Sequence, residues 1–97
     1  MTEESFAVPI DGILDLHTFR PREVKDLIPE YLRECRRLGL VQIRIIHGKG
    51  KGEMRRLVHA ILARNELVRQ FRQAPENAGG WGATLVDLKG PRAGEGR

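Results

Sequence analysis

A single cysteine, Cys35, in 97 residues excludes an internal disulfide, and its neighbours place it on the apolar face of a helix, as a core thiol rather than a nucleophile. Aromatic residues make up only 5% of the chain, with one tyrosine, Tyr31, and one tryptophan, Trp81. No apolar run approaches the roughly 18 residues that a membrane span needs. The start, Met1-Thr2-Glu3-Glu4, lacks the basic region and apolar core of a signal peptide, so the expectation is a cytoplasmic protein with no membrane contact. There is no internal repeat.

A hydrophobic content of 40% beside 31% charged residues is ordinary for one small globular domain with one modest core. The net charge of +4 favours an anionic partner. Its distribution says more than its size. Arg44, Lys49, Lys51, Arg55, Arg56, Arg64, Arg69 and Arg72 fall in one stretch whose acidic residues are only Glu53 and Glu66. That stretch suits phosphate, although any one of these side chains could simply belong to a solvated face.

Residues 1–12 contain Pro9 and the Asp11-Gly12 turn signal and read as an arm leading into a domain over 13–89; residues 90–97 read as a disordered tail. Ile13 to His17 alternates, with Ile13, Asp15 and His17 on one face and Leu14 and Leu16 on the other, which predicts a strand. Pro21 opens a helix whose apolar stripe, Val24, Leu27, Ile28, Tyr31, Leu32, Cys35 and Leu38, runs on past Pro29 to Gly39. Pro29 should kink it at a cost of about 3 kcal/mol unless accommodated. Val41 to Ile46 predicts a largely buried strand, and Met54, Leu57, Val58, Ile61 and Leu62 a second helix ending near Asn65. Leu67 to Arg72 and Ala83 to Lys89 read as two further strands around a loop, and Phe71 as a core residue. The order β-α-β-α-β-β implies an α/β fold with two helices and a four-stranded mixed sheet, its first two strands parallel.

Two apolar runs each end in a histidine, Leu14-Asp15-Leu16-His17 and Ile45-Ile46-His47. If both are neighbouring parallel strands, their carboxyl ends gather Asp15, His17 and His47 in one crevice, where α/β sheets usually bind ligands. A carboxylate beside an imidazole can orient it, share a metal ion with it or position water for attack on a phosphodiester. Spacing alone favours the plainer role, in which Asp15 accepts backbone N–H groups and His17 fastens the turn. The grouping lacks the ligand spacing of a structural zinc site, so no tightly bound cofactor is expected. A loosely held Mg2+ or Mn2+ on Asp15, shared with phosphate oxygens, is the one metal reading.

Gly48-Lys49-Gly50-Lys51-Gly52 puts glycine at alternate positions and opens into a helix, where free N–H groups, the helix dipole and two lysines would cradle a phosphate. It is not a P-loop, since Gly52 stands where Ser or Thr is needed. A tight connection that merely requires glycine is the alternative. Trp81, in Gly79-Gly80-Trp81-Gly82, would either stack on a base or cover the edge of the core. His59 reads as a partly exposed helix residue without a role.

Leu14-Asp15-Leu16-His17 and His47-Gly48-Lys49-Gly50 resemble the LDLH and HGKG motifs of the Smr (small MutS-related) domain family, found at the end of some MutS-like proteins and as free-standing small proteins. The resemblance runs from about Ile13 to Leu88. It implies a fold shared with the carboxyl-terminal domain of translation initiation factor three and a nicking endonuclease acting on DNA or structured RNA, with a link to DNA repair or recombination. It also reverses the preference for a purely structural Asp15 and His17. The implied catalytic set is Asp15, His17 and His47; Gly48, Lys49, Gly50, Lys51, Gly52, Arg55, Arg56 and Trp81 would contact nucleic acid, in a monomer. A non-catalytic DNA- or RNA-binding module is the alternative. Thr18 and Phe19 depart from the glycine common after the first motif and should make that wall of the crevice bulkier.

Overall fold

A computed structural model describes residues 8–90, so residues 1–7 of the arm and 91–97 of the tail lie outside the described residues. The elements are β1 (Ile13–Asp15), α1 (Pro21–Arg37), β2 (Gln42–Ile46), α2 (Glu53–Ala63), β3 (Val68–Gln73) and β4 (Ala83–Leu88), with two short 3-10 turns, Glu76–Ala78 and Gly80–Gly82, between the last two strands. The strands form one mixed sheet in the order β1-β2-β4-β3. β1 and β2 are parallel, and β4 is antiparallel to both β2 and β3, as the sequence predicts for the first pair.

Alternation decides which face is dry. Leu14 and Leu16 of the first segment, Ile43 and Ile45 of β2, and Val86 and Leu88 of β4 join Val24, Ile28, Tyr31, Leu32 and Cys35 of α1 and Val58 and Leu62 of α2 in one buried cluster. Both helices therefore cover the same face of the sheet. The opposite face carries Ile13, Asp15, Arg44, Leu85 and Arg72 and is left open.

α1 starts at Pro21, where the missing proline N–H costs nothing, and the Glu23 carboxylate accepts the backbone N–H of Arg20 at 2.7 Å. It continues unbroken through Pro29, because Ile28, Tyr31 and Leu32 anchor the turns on either side in the core. Tyr31 also reaches across the fold. Its fully buried hydroxyl accepts the Gly12 N–H at 3.0 Å, which pins the entry to β1, and burial pushes its pKa up to about 12. Burial likewise pushes the Cys35 thiol up, which suits a core residue. Tyr31→Phe leaves the Gly12 N–H without its acceptor and should cost about 1–2 kcal/mol of stability, read from urea unfolding midpoints.

At the rims of the sheet, β1 is three residues long, and β3 slips register between Val68 and Gln70 against β4.

Candidate functional site

β1 ends at Asp15, two residues short of the predicted strand end, and His17 lies in the turn that follows. Leu16 still donates its N–H to the Ile46 carbonyl at 2.9 Å, and Phe19 closes the turn onto the Leu16 carbonyl at 2.9 Å. Within that turn Asp15 Oδ1 accepts both the His17 backbone N–H at 3.0 Å and the His17 ring Nδ1–H at 2.9 Å. Asp15 thus accepts the backbone N–H expected of the plainer role and also orients the His17 ring. The hydrogen bonds from His17, the backbone one foremost, hold the Asp15 carboxyl below the usual carboxylate range. An ionised carboxylate only accepts, so Nδ1 carries a hydrogen, and in the neutral ring the lone pair is on Nε2. The Asp15 and His17 side chains are 47% and 75% exposed, so that lone pair meets solvent. Phe19 packs against the core, while Thr18, the other residue expected to add bulk here, is exposed.

His47 does not stand beside them. Asp15 pairs with Ile46 in the parallel register, so their side chains share the open face, while His47 continues the parity of Ile43 and Ile45 into the helix-covered face, where it is 8% exposed. There its Nδ1 lies 3.1 Å from the Gly48 carbonyl and its Nε2 2.9 Å from Thr84 Oγ1. Thr84 Oγ1 is also 2.8 Å from Nε2 of His59. The donor order follows from what each atom can do. A carbonyl only accepts, so His47 Nδ1 carries hydrogen; its Nε2 then accepts from the Thr84 hydroxyl, which in turn accepts from His59 Nε2–H. Burial, with the Arg55 cation nearby, lowers the pKa of both imidazoles below 6.5 and keeps them neutral. His59 and Thr84 thus fasten the start of the glycine loop to α2 and β4, a task that their sequence positions, 25 residues apart, did not signal.

The loop itself needs its glycines. Gly48, Gly50 and Gly52 have φ of 83°, 31° and 87°, in the left-handed region that residues with a Cβ rarely adopt. Gly52 caps α2, and its carbonyl accepts the Arg56 N–H at 2.9 Å. From Lys49 to Arg55 the backbone N–H groups have no protein acceptor among the described residues, and they follow a depression of about 250 Å3 that runs from His47 to Arg55. Arg55 adds a buried Nε that also lacks a partner. Unpaired donors, a helix start and the Lys49 and Lys51 ammonium groups together suit an oxyanion.

Trp81 lies against this loop. Its Nε1–H donates to the Lys49 carbonyl at 3.3 Å, and the Arg55 guanidinium covers its ring, 4.0 Å from the centroid. It remains 43% exposed and outside the hydrophobic cluster.

The basic stretch does not act as one patch. Lys49, Lys51, Arg55 and Arg56 belong to the loop and α2, whereas β2 and β3 carry Arg44, Arg69 and Arg72 to the open face. There Arg44 donates to the Ala78 carbonyl at 3.1 Å, and Arg72 and Arg69 lie 3.1 and 3.8 Å from Asp87. Asp87 is held below the usual carboxylate range by the Gln70 amide first and then by Arg72. A second depression, about 290 Å3, lies on this face, but its cations are already partnered, so the loop is the better anion site. Among the described residues no three His, Cys, Asp or Glu side chains are grouped to hold a metal. Asp15 offers one carboxylate, so a hard cation there would draw its other ligands from water and phosphate.

The Smr domain family model matches residues 14–89. The chain is 38% identical over 80 residues to Endonuclease MutS2 of Halothermothrix orenii and 41% identical over 76 residues to that of Streptococcus mutans, alignments that cover 82% and 78% of this chain but 10% of either relative. It thus spans about a tenth of the length of the curated relatives it matches. Among solved structures, the Smr domain of Thermus thermophilus MutS2 superposes with a TM-score of 0.77 at 35% identity, over 81% of this chain and 99% of that one. YdaL, a stand-alone small MutS-related protein from Escherichia coli, superposes with a TM-score of 0.76 at 26% identity, over 89% and 70% of the two chains.

Proposed function

Because this chain belongs to the Smr domain family, related to the domains of MutS2 endonucleases, we propose that it binds nucleic acid and nicks one strand by hydrolysing a phosphodiester bond. The observation that carries the reading is the Asp15–His17 pair at the end of β1, beside the strand that leads into a loop of unpaired N–H donors. In this mechanism the Gly48–Gly52 backbone, with Lys49, Lys51, Arg55 and Arg56, holds a phosphate and stabilises charge as it develops on the phosphoryl oxygens. His17 Nε2 takes the proton of the attacking water, and Asp15 stabilises the imidazolium that results. The leaving oxygen takes its proton from solvent, since in-line displacement sets it on the far side of phosphorus. His47, its Nε2 engaged by Thr84, positions the loop and takes no proton from substrate.

The test is nicking of supercoiled plasmid and of a labelled structured RNA, each with magnesium, manganese or chelator, by the parent and by Asp15→Ala/His17→Ala. Nicking lost in the folded variant supports the reading; equal rates overturn it. The solvent exposure of both side chains favours one other reading, a module that binds without cutting. It predicts no nicking by the parent but binding that weakens steeply with salt. Under either reading Lys49→Ala and Lys51→Ala should each reduce the slope of log affinity against log salt by about one, measured by fluorescence anisotropy.

A further inference from the structure

We propose that the free face of Trp81 is a stacking site for an unpaired base, so that the substrate is single-stranded nucleic acid, or a duplex with an unpaired nucleotide, rather than uninterrupted duplex. The inference rests on the phosphate-binding role proposed for the adjoining loop. A large aromatic side chain left 43% exposed, outside the core, forgoes the stabilisation of burial, and this one is nevertheless held firmly. Its edge is fixed by the Nε1 bond to the Lys49 carbonyl and one face is taken by Arg55, so its exposure falls on the remaining face and edge.

The backbone beneath it is built to the same end. Gly79 has φ of 114°, and a Cβ there would lie 2.7 Å from that of Ala83, so the turn that presents Trp81 admits only glycine at this position. The Gly82 carbonyl accepts N–H groups from both His47 and Gly48, at 3.0 and 2.9 Å, which ties the tryptophan turn to the phosphate loop as one unit. A Cβ on Gly52, the cap of α2, would lie 3.7 Å from Trp81 Cζ2, so the ring borders the run of unpaired N–H groups. Phosphate site and aromatic face are thus neighbours, as a nucleotide requires. Stacking on an aromatic ring needs no particular base, only one with a face uncovered. Bases within a continuous duplex have both faces covered by their neighbours, whereas an unpaired or terminal base does not, and this selects the substrate.

Trp81 is the chain's single tryptophan, so its fluorescence reports the site directly. The full chain would be titrated at low salt with a single-stranded oligonucleotide, in DNA and RNA form, with an abasic strand of the same phosphate number, and with a hairpin-capped duplex. Quenching by the base-bearing strands, with affinity about tenfold above that of the abasic strand, is the expected result. Trp81→Ala should abolish the preference for the base-bearing strand, bringing its affinity to within about twofold of the variant's own affinity for the abasic strand, a ratio that any loosening of the loop leaves unaffected. Equal affinities without quenching would overturn the stacking site and leave the phosphate site standing. Failure to bind any probe would overturn both. If Trp81→Ala does not fold, the parent's fluorescence and the abasic comparison still decide.

Discussion

Asp15→Asn is expected to slow nicking by about 100-fold, the lower end of what a positioned acid–base group contributes, because the pair is solvent-exposed in the absence of substrate. The substitution keeps the shape, and its amide oxygen can still accept the His17 N–H that closes the turn. What it removes is charge. Without the carboxylate, His17 is no longer confined to the form with hydrogen on Nδ1, and the imidazolium formed during reaction loses its counter-charge. Single-turnover rates on saturating plasmid isolate this effect from binding, which should be unchanged in a gel shift. A rate within about twofold of the parent would remove Asp15 from the mechanism.

Thr84→Val should cost about 2–4 kcal/mol of folding stability, a large share of what a small domain has. Valine preserves the volume, so no cavity opens, yet the one hydroxyl it removes serves two imidazoles. Each buried nitrogen left without a partner costs about 1–3 kcal/mol, nearer the lower figure for the half-buried His59. The parent carries a pH signature of the same cluster. Burial lowers the folded pKa of His47 and His59 from 6.5, so below that pH the unfolded chain binds more protons than the folded one. Stability is therefore full above pH 6.5 and falls as pH drops through the window beneath it. Urea unfolding at pH 8 and pH 5.5 checks both statements, and a Thr84→Val protein as stable as the parent would show that the shared hydroxyl is dispensable.

The helices, the strand order in sequence and the glycine loop were legible because each depends on local period or on a residue type that admits little else. Val24 to Leu38 keeps helical spacing across Pro29, and Gly48, Gly50 and Gly52 mark left-handed positions. Side-chain direction at the strand ends was harder. The alternation of Ile43, Ile45 and His47 already pointed His47 into the core, but the matching motif ends suggested a shared crevice with Asp15 and His17. The pairing of Asp15 with Ile46 decides it, and register across two strands is not written in either one. The same holds for the basic stretch, which reads as one patch until β2 and β3 carry three of its arginines to the open face. His59 with Thr84 and Trp81 with Lys49 meet only in the fold, across 25 and 32 residues.

The two rims of the sheet bear on how the protein behaves in a crowded solution. An edge strand offers its unpaired amides and carbonyls to any other chain, and long flat edges invite sheets to grow from one molecule into the next. Here one rim offers only three residues in β1, and the other is broken by the slip between Val68 and Gln70 and flanked by Arg69 and Arg72. A second copy would find too short a template on one side and a kinked, positively charged one on the other, which works against aggregation through the sheet.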